Sequence, residues 1–154
     1  MGALLLLCSG VGIAFLMVKR EETILCRTSA ILDMIVFVRD QVDIYSISAP
    51  QIFSNMGEKM IKSCGYDVSF GIPENFLDMY LRCDIPDAVT KNAFFDFATG
   101  FGKSYRAQEV QKCDICAEKI RKREQELSAK LPMKRKMIFG ISVCASLVLL
   151  ILLI

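Results

Sequence analysis

The chain has no histidine at all. That removes the usual general base and the commonest protein ligand for metals. Tryptophan is also missing, and proline occurs only four times. No stretch alternates apolar and polar residues with period two for long enough to make a strand, so a sheet is excluded and helices are expected. Charge is absent too from residues 1–18 (MGALLLLCSGVGIAFLMV) and 137–154 (MIFGISVCASLVLLILLI). The 19 basic and 17 acidic side chains therefore all lie between Lys19 and Lys136.

The chemistry that remains is thin. ATGFGKS at residues 98–104 ends like a phosphate-binding loop, but Phe97 stands where the first glycine belongs. Asn92 to Thr99 also reads as helix rather than the buried strand such a loop must follow, so nucleotide binding is not expected. Cys113 and Cys116 have CxxC spacing, which suits a redox pair or half a metal site. There is no second ligand pair, and Cys113 lies on the apolar seam of a helix, so structural thiols are favoured. The carboxylate pairs Glu21-Glu22 and Asp84 with Asp87 sit at helix starts, where they complement the dipole. Nothing supports an enzyme, a cofactor or a metal centre.

The two uncharged ends are each about 27 Å long as helices, enough for a hydrocarbon core with flanking side chains snorkelling. We expect membrane helices over 1–18 and over 134–154 with its basic flank, around a soluble segment, 19–133. No small-residue cleavage site precedes Lys19-Arg20, so the first helix reads as an uncleaved anchor. Lys19 and Arg20 follow one span and Lys134, Arg135 and Lys136 precede the other, and basic flanks stay cytoplasmic. Both termini are then expected on the far side of the membrane. The seven cysteines fit this. Cys26, Cys64, Cys83, Cys113 and Cys116 would sit in a reducing compartment as small hydrophobes.

Within the soluble segment Ile24, Thr28, Ile31, Ile35, Val38, Val42 and Tyr45 recur at spacings of three and four, a helix with one buried seam. Ser48, Pro50 and Gln51 look like the start of a second helix, carrying Ile52, Phe53, Met56, Met60 and Ile61 and stopping at Gly65. Gly65 to Pro73 reads as a loop, and Pro73 as the opening of a short helix with Phe76, Leu77, Tyr80 and Leu81. A further helix restarts near Pro86, spaces Val89, Ala93 and Phe97 four apart and ends at Gly100. In the turn that follows, Gly102 permits a left-handed backbone, Phe101 plugs the core and Ser104 caps the last helix. That helix places Val110, Cys113, Ala117, Ile120, Leu127 and Leu131 on one seam, and Pro132 loosens its approach to the membrane. The expectation is all-α: about five antiparallel helices in a bundle flanked by two membrane helices.

Charge is sorted along the chain. Residues 19–102 carry 8 basic and 12 acidic side chains, and residues 103–136 carry 11 and 5. An acidic body thus precedes a basic helix beside the membrane, whose lysines and arginines face headgroups rather than nucleic acid. Asp33, Asp40 and Asp43 mark the acidic face as a candidate docking surface.

The order of features resembles one family over essentially the whole chain: the opening Gly2-Ala3-Leu4-Leu5, the turn Gly100-Phe101-Gly102-x-Ser104, and Lys136-Met137-Ile138-Phe139-Gly140 before LVLLILLI. Arg39 to Val42 with Pro50 is a softer match. On these residues the chain resembles the stage III sporulation protein AB family of endospore-forming bacteria. The family turn usually continues with Asp and then Gln four residues on, where this chain has Tyr105 and Glu109. A second glycine of the last span is replaced here by Ser142, Cys144, Ala145 and Ser146 nearby. The resemblance implies a non-enzymatic platform subunit, similar to the inner-membrane platform of type II secretion machines. It implies a place in the feeding-tube channel between mother cell and forespore, beside other stage III sporulation channel proteins. The partner it implies is a secretion-type ATPase of the stage III sporulation protein AA type, and a homo-oligomer is among the assemblies it allows. A reading of another class is a membrane-anchored redox or metal sensor using Cys113 and Cys116.

Overall fold

The computed structural model describes the backbone of residues 2–45 and 49–152, and the side chains of residues 12–45, 50–148 and 151. Among these residues the chain is all helical, without strands. Six α-helices follow one another: α1 (Gly2–Tyr45), α2 (Ala49–Asn55), α3 (Glu58–Ser63), α4 (Phe76–Arg82), α5 (Ala88–Gly100) and α6 (Arg106–Leu152). A 3-10 turn, Val68–Phe70, lies between α3 and α4. The chain forms two compact units, residues 26–125 and the two ends, 1–25 with 126–154.

The body, residues 26–125, is built on the expected seam of α1. Thr28, Ile31, Ile35, Val38 and Val42 are all buried there, whereas Tyr45 faces out. Arg39 pairs with Asp114 at 2.7 Å and Asp43 with Arg106 at 3.4 Å, so α1 and α6 run antiparallel in this unit. Val110, Cys113, Ala117 and Ile120 supply the facing seam of α6.

Three local expectations are corrected. The second helix is broken at Gly57, whose extended backbone (φ −63°, ψ 147°) separates α2 from α3. Met56 and Ile61 are both buried but five residues apart, out of helical phase, and the break restores Ile61 to the core. Its expected cap, Ser48, lies outside the described residues. Pro73 does not open α4; Asn75 does, its side chain accepting from the Asp78 N–H at 2.8 Å. The helix therefore turns Phe76 and Met79 inward and leaves Leu77 and Leu81 exposed. On α5 the buried face is Thr90, Ala93, Phe94, Phe97 and Ala98, and Val89 is exposed.

Phe76 is the hub of the aromatic core. Its ring lies 4.6 Å from Phe53, 4.7 Å from Phe101 and 5.2 Å from Phe97, in tilted and edge-on geometries that favour aromatic pairs. Residues 65–84 form a lobe whose ends are tied together. The Asp84 N–H donates to the Gly65 carbonyl at 3.0 Å, and Tyr66 bridges to Cys83. Arg27 of α1 clasps the lobe through the carbonyl and carboxylate of Asp84. Gly65 has φ +91°, and a Cβ there would lie 2.7 Å from the Asp84 carbonyl oxygen, so only glycine suits this junction.

The ends are assembled differently. Ala14, Val18 and Ser146 are buried, while Ile13, Phe15, Leu16, Ile141, Val143 and Leu147 face outward. Glu21 and Lys134 pair at 2.8 Å. Among the described residues no helix is long and apolar enough to cross a membrane. Much of the two expected spans, residues 1–11 and 149–154, lies outside the described side chains, apart from the exposed Ile151.

Candidate functional site

The GFG turn is fixed by a carboxylate that sequence reasoning missed. Gly102 has φ +81°, as expected, and Phe101 packs on Phe76 and Phe97. Ser104, however, is not the cap of α6, which starts at Arg106. Instead Glu109, buried in the first turn of α6, reaches back: its Oε2 accepts from the Gly102 N–H at 3.1 Å and its Oε1 from the Ser104 N–H at 2.9 Å. Lys112 Nζ closes the network, donating to the Gly100 carbonyl at 2.6 Å, Ser104 Oγ at 2.8 Å and Glu109 Oε1 at 3.0 Å. Glu109 thus supplies both acceptor oxygens for the turn. The available signal was an acidic residue in the first turn of a helix, five residues past a Gly-x-Ser turn.

A second unforeseen network pins α5 to α6. Asp87 caps α5, accepting from the Thr90 N–H and Oγ1 at 2.9 Å each, and Arg123 grips the same carboxylate through Nε and Nη2 at 2.8–3.2 Å. Thr90 also meets Thr28 of α1 at 3.3 Å. Burial pushes the Asp87 carboxyl up, but the bonds from Arg123 and Thr90 outweigh it and hold the group below the usual carboxylate range. Its partner is 36 residues away, so no local pattern marks the pair.

Cys113 and Cys116 are both buried and unpaired in any disulfide. Burial pushes each thiol up to about 12, and Cys116 Sγ lies 3.5 Å from the Ala93 carbonyl. Thiols in such a state present almost no thiolate at neutral pH. Among the described residues no group of three or more metal-ligating side chains converges.

The expected docking carboxylates are dispersed in role. Asp40 lies 3.4 Å from Arg39 and Asp43 pairs with Arg106, while Asp33 lines a cleft of about 570 Å³ with Cys26, Ser29, Lys59 and Met60. Of the basic residues expected to orient the chain, Lys19, Arg20, Arg135 and Lys136 are exposed, and Lys134 is engaged by Glu21. No protein-family model, curated protein or solved structure matches the chain.

Proposed function

We propose that the protein is a non-enzymatic membrane platform subunit of the mother cell to forespore channel, with its helical body docked on a partner secretion-type ATPase. The observation that carries the membrane part is the inverted burial at the ends. Ala14, Val18 and Ser146 are enclosed, while the larger Phe15, Leu16, Ile141 and Leu147 face outward. Such an arrangement is costly in water and natural in lipid, where close helix packing uses small residues and large apolar ones meet acyl chains. The exposed Lys19, Arg20, Arg135 and Lys136 then lie at headgroup level on the cytoplasmic side, the body stays in the mother-cell cytoplasm and both termini lie across the membrane. A scaffold reading of the body is supported by its buried carboxylates, Asp87 and Glu109, which pin α5 to α6 and hold the turn before α6. The proposed mechanical coupling is supported by α1 and α6, of 44 and 47 residues, each of which carries residues of both units. On this reading ATPase-driven motion reaches the membrane complex through those two helices.

The buried thiols disfavour the sensor reading. A deletion strain scored for heat-resistant spores and forespore size tests the proposal. Arrest after engulfment with a shrunken forespore, restored by a Cys113→Ser/Cys116→Ser variant, is the expected result. Normal spores from the deletion strain overturn the channel role, and failure of the serine variant to complement restores the sensor.

A further inference from the structure

The two long helices of the end unit both change from charged to apolar beside one ion pair. On α1, Phe15, Leu16 and Met17 face outward, and the exposed Lys19 and Arg20 follow them. On α6, Arg135 and Lys136 are exposed, and Met137 and Ile141 face outward after them. Glu21 is the next residue after one basic pair and Lys134 the residue before the other, and the two meet at 2.8 Å. That clasp joins the two basic turns. Met17 and Met137 each lie within about one helical turn of it, about 5.4 Å along the axis.

The charge at this level is strongly one-sided. Residues 19–22 and 130–136 carry six basic side chains, Lys19, Arg20, Lys130, Lys134, Arg135 and Lys136, against Glu21 and Glu22. Glu21 is engaged with Lys134, and among the described residues no ion pair holds Lys19, Arg20, Arg135 or Lys136. Successive helical residues point about 100° apart, so these cations are spread around both helices as a collar. An acidic protein would satisfy the cations but leave Leu16, Met137 and Ile141 uncovered. A phospholipid with an anionic headgroup carries the matching charge and the matching apolar chain in one molecule.

We infer that this collar binds anionic phospholipid, with Lys19, Arg20, Arg135 and Lys136 on the headgroups and the acyl chains along Leu16, Met137 and Ile141. The chain thereby gathers anionic lipid around itself in preference to zwitterionic lipid. Arginine offers a phosphate a fork of N–H donors and lysine a point charge, and both act beside the low-dielectric acyl region. Glu21 is a positioning residue, holding the two basic turns together. The inference rests on the membrane placement proposed above and adds to it the class of lipid chosen.

The test reconstitutes the full chain in phosphatidylcholine vesicles with a trace of spin-labelled phosphatidylglycerol or spin-labelled phosphatidylcholine. Electron paramagnetic resonance reads the fraction of each label whose motion the protein restricts. We expect phosphatidylglycerol to be preferred about fivefold or more, and the preference to fall as salt is added. Lys19→Gln/Arg20→Gln and Arg135→Gln/Lys136→Gln should each lower it about twofold, and the fourfold variant should abolish it. The exchange Lys19→Arg/Arg20→Lys should keep it. All four side chains are exposed, so an unchanged helical circular dichroism spectrum shows that the variants fold. Lys59→Gln/Lys91→Gln, exposed in the body, controls for net charge. An equal loss in that control, or full preference in the fourfold variant, overturns the inference. So does release of the labelled lipid by glycerol phosphate at matched ionic strength, which would assign the cations to a free phosphate. Equal restriction of the two labels also overturns it, hands the cations to an acidic protein and leaves the membrane placement standing. A chain that restricts neither label overturns the membrane placement and this inference together.

Discussion

The body and the ends of this chain differ in where their largest apolar side chains lie. In residues 26–125 the enclosed side chains include Phe53, Phe76, Phe94, Ile31 and Met79, and the buried charges, Asp87 and Glu109, are paired with Arg123 and Lys112. In the ends Ala14, Val18 and Ser146 are enclosed, and Phe15, Leu16, Ile141 and Leu147 lie outside. Water rewards hiding large apolar surface, by about 25 cal/mol per Å². Lipid offers no such reward, so helix contact there depends on close approach of small residues. The proposed membrane placement of the ends would account for this difference.

The sharpest way to break this contrast is truncation of a large side chain in each region. Phe76→Ala removes the hub of three aromatic contacts and should lower the stability of the body by about 3–5 kcal/mol, read from denaturant midpoints. Leu16→Ala, on an outward face, should leave the same midpoint within about 0.5 kcal/mol. Equal losses in both would remove the distinction. The converse experiment adds charge: Leu147→Arg should cost about 2.5–3.5 kcal/mol of membrane insertion, measured as release of the chain on alkaline extraction. An arginine tolerated at that position without release would mean that the face meets water.

Smaller effects sharpen the account of the body. Asp87→Asn leaves Arg123 without its carboxylate and should cost about 1.5–3 kcal/mol at pH 7. Because the folded state holds the Asp87 carboxyl below its unfolded value of about 3.9, its contribution is complete above that pH and is lost as pH falls through the lower, folded value. The asparagine variant should therefore show a shallower acid dependence of the urea midpoint than the parent chain; parallel curves would remove Asp87 from the acid limb. The smallest effect is kinetic. With their thiols pushed up to about 12, Cys64, Cys113 and Cys116 should resist iodoacetamide in the native body while exposed Cys26 reacts, as mass spectrometry would resolve. Rapid native labelling of Cys113 would revive a reactive role for the CxxC pair.

Much of the architecture was legible because helical seams are local. The inward run from Thr28 to Val42 and the run from Val110 to Ile120 follow from spacing alone, as do the end of α5 at Gly100 and the positive φ of Gly102. What was misread had two competing local solutions. Pro73 and Asn75 both suit a helix start, and the side-chain hydrogen bond of Asn75 to Asp78 decides it. The choice reverses Leu77 and Leu81 from core to surface, and with them the character of the lobe. At the GFG turn, Ser104 fitted a cap, yet Glu109 offers two oxygens where a hydroxyl offers one.

The sequence by itself determined the helical class, the antiparallel seams, the absence of a histidine-based site and the separation of charged middle from uncharged ends, since all of these depend on composition and on a period of 3.6. Only the tertiary structure decided that Asp87 meets Arg123, that Glu109 and Lys112 hold the turn, that Arg27 clasps the lobe through Asp84, and that the Arg82 guanidinium lies over Phe70. Those partners are brought together by chain folding rather than by spacing, and a buried carboxylate or an exposed leucine acquires its meaning from what packs against it.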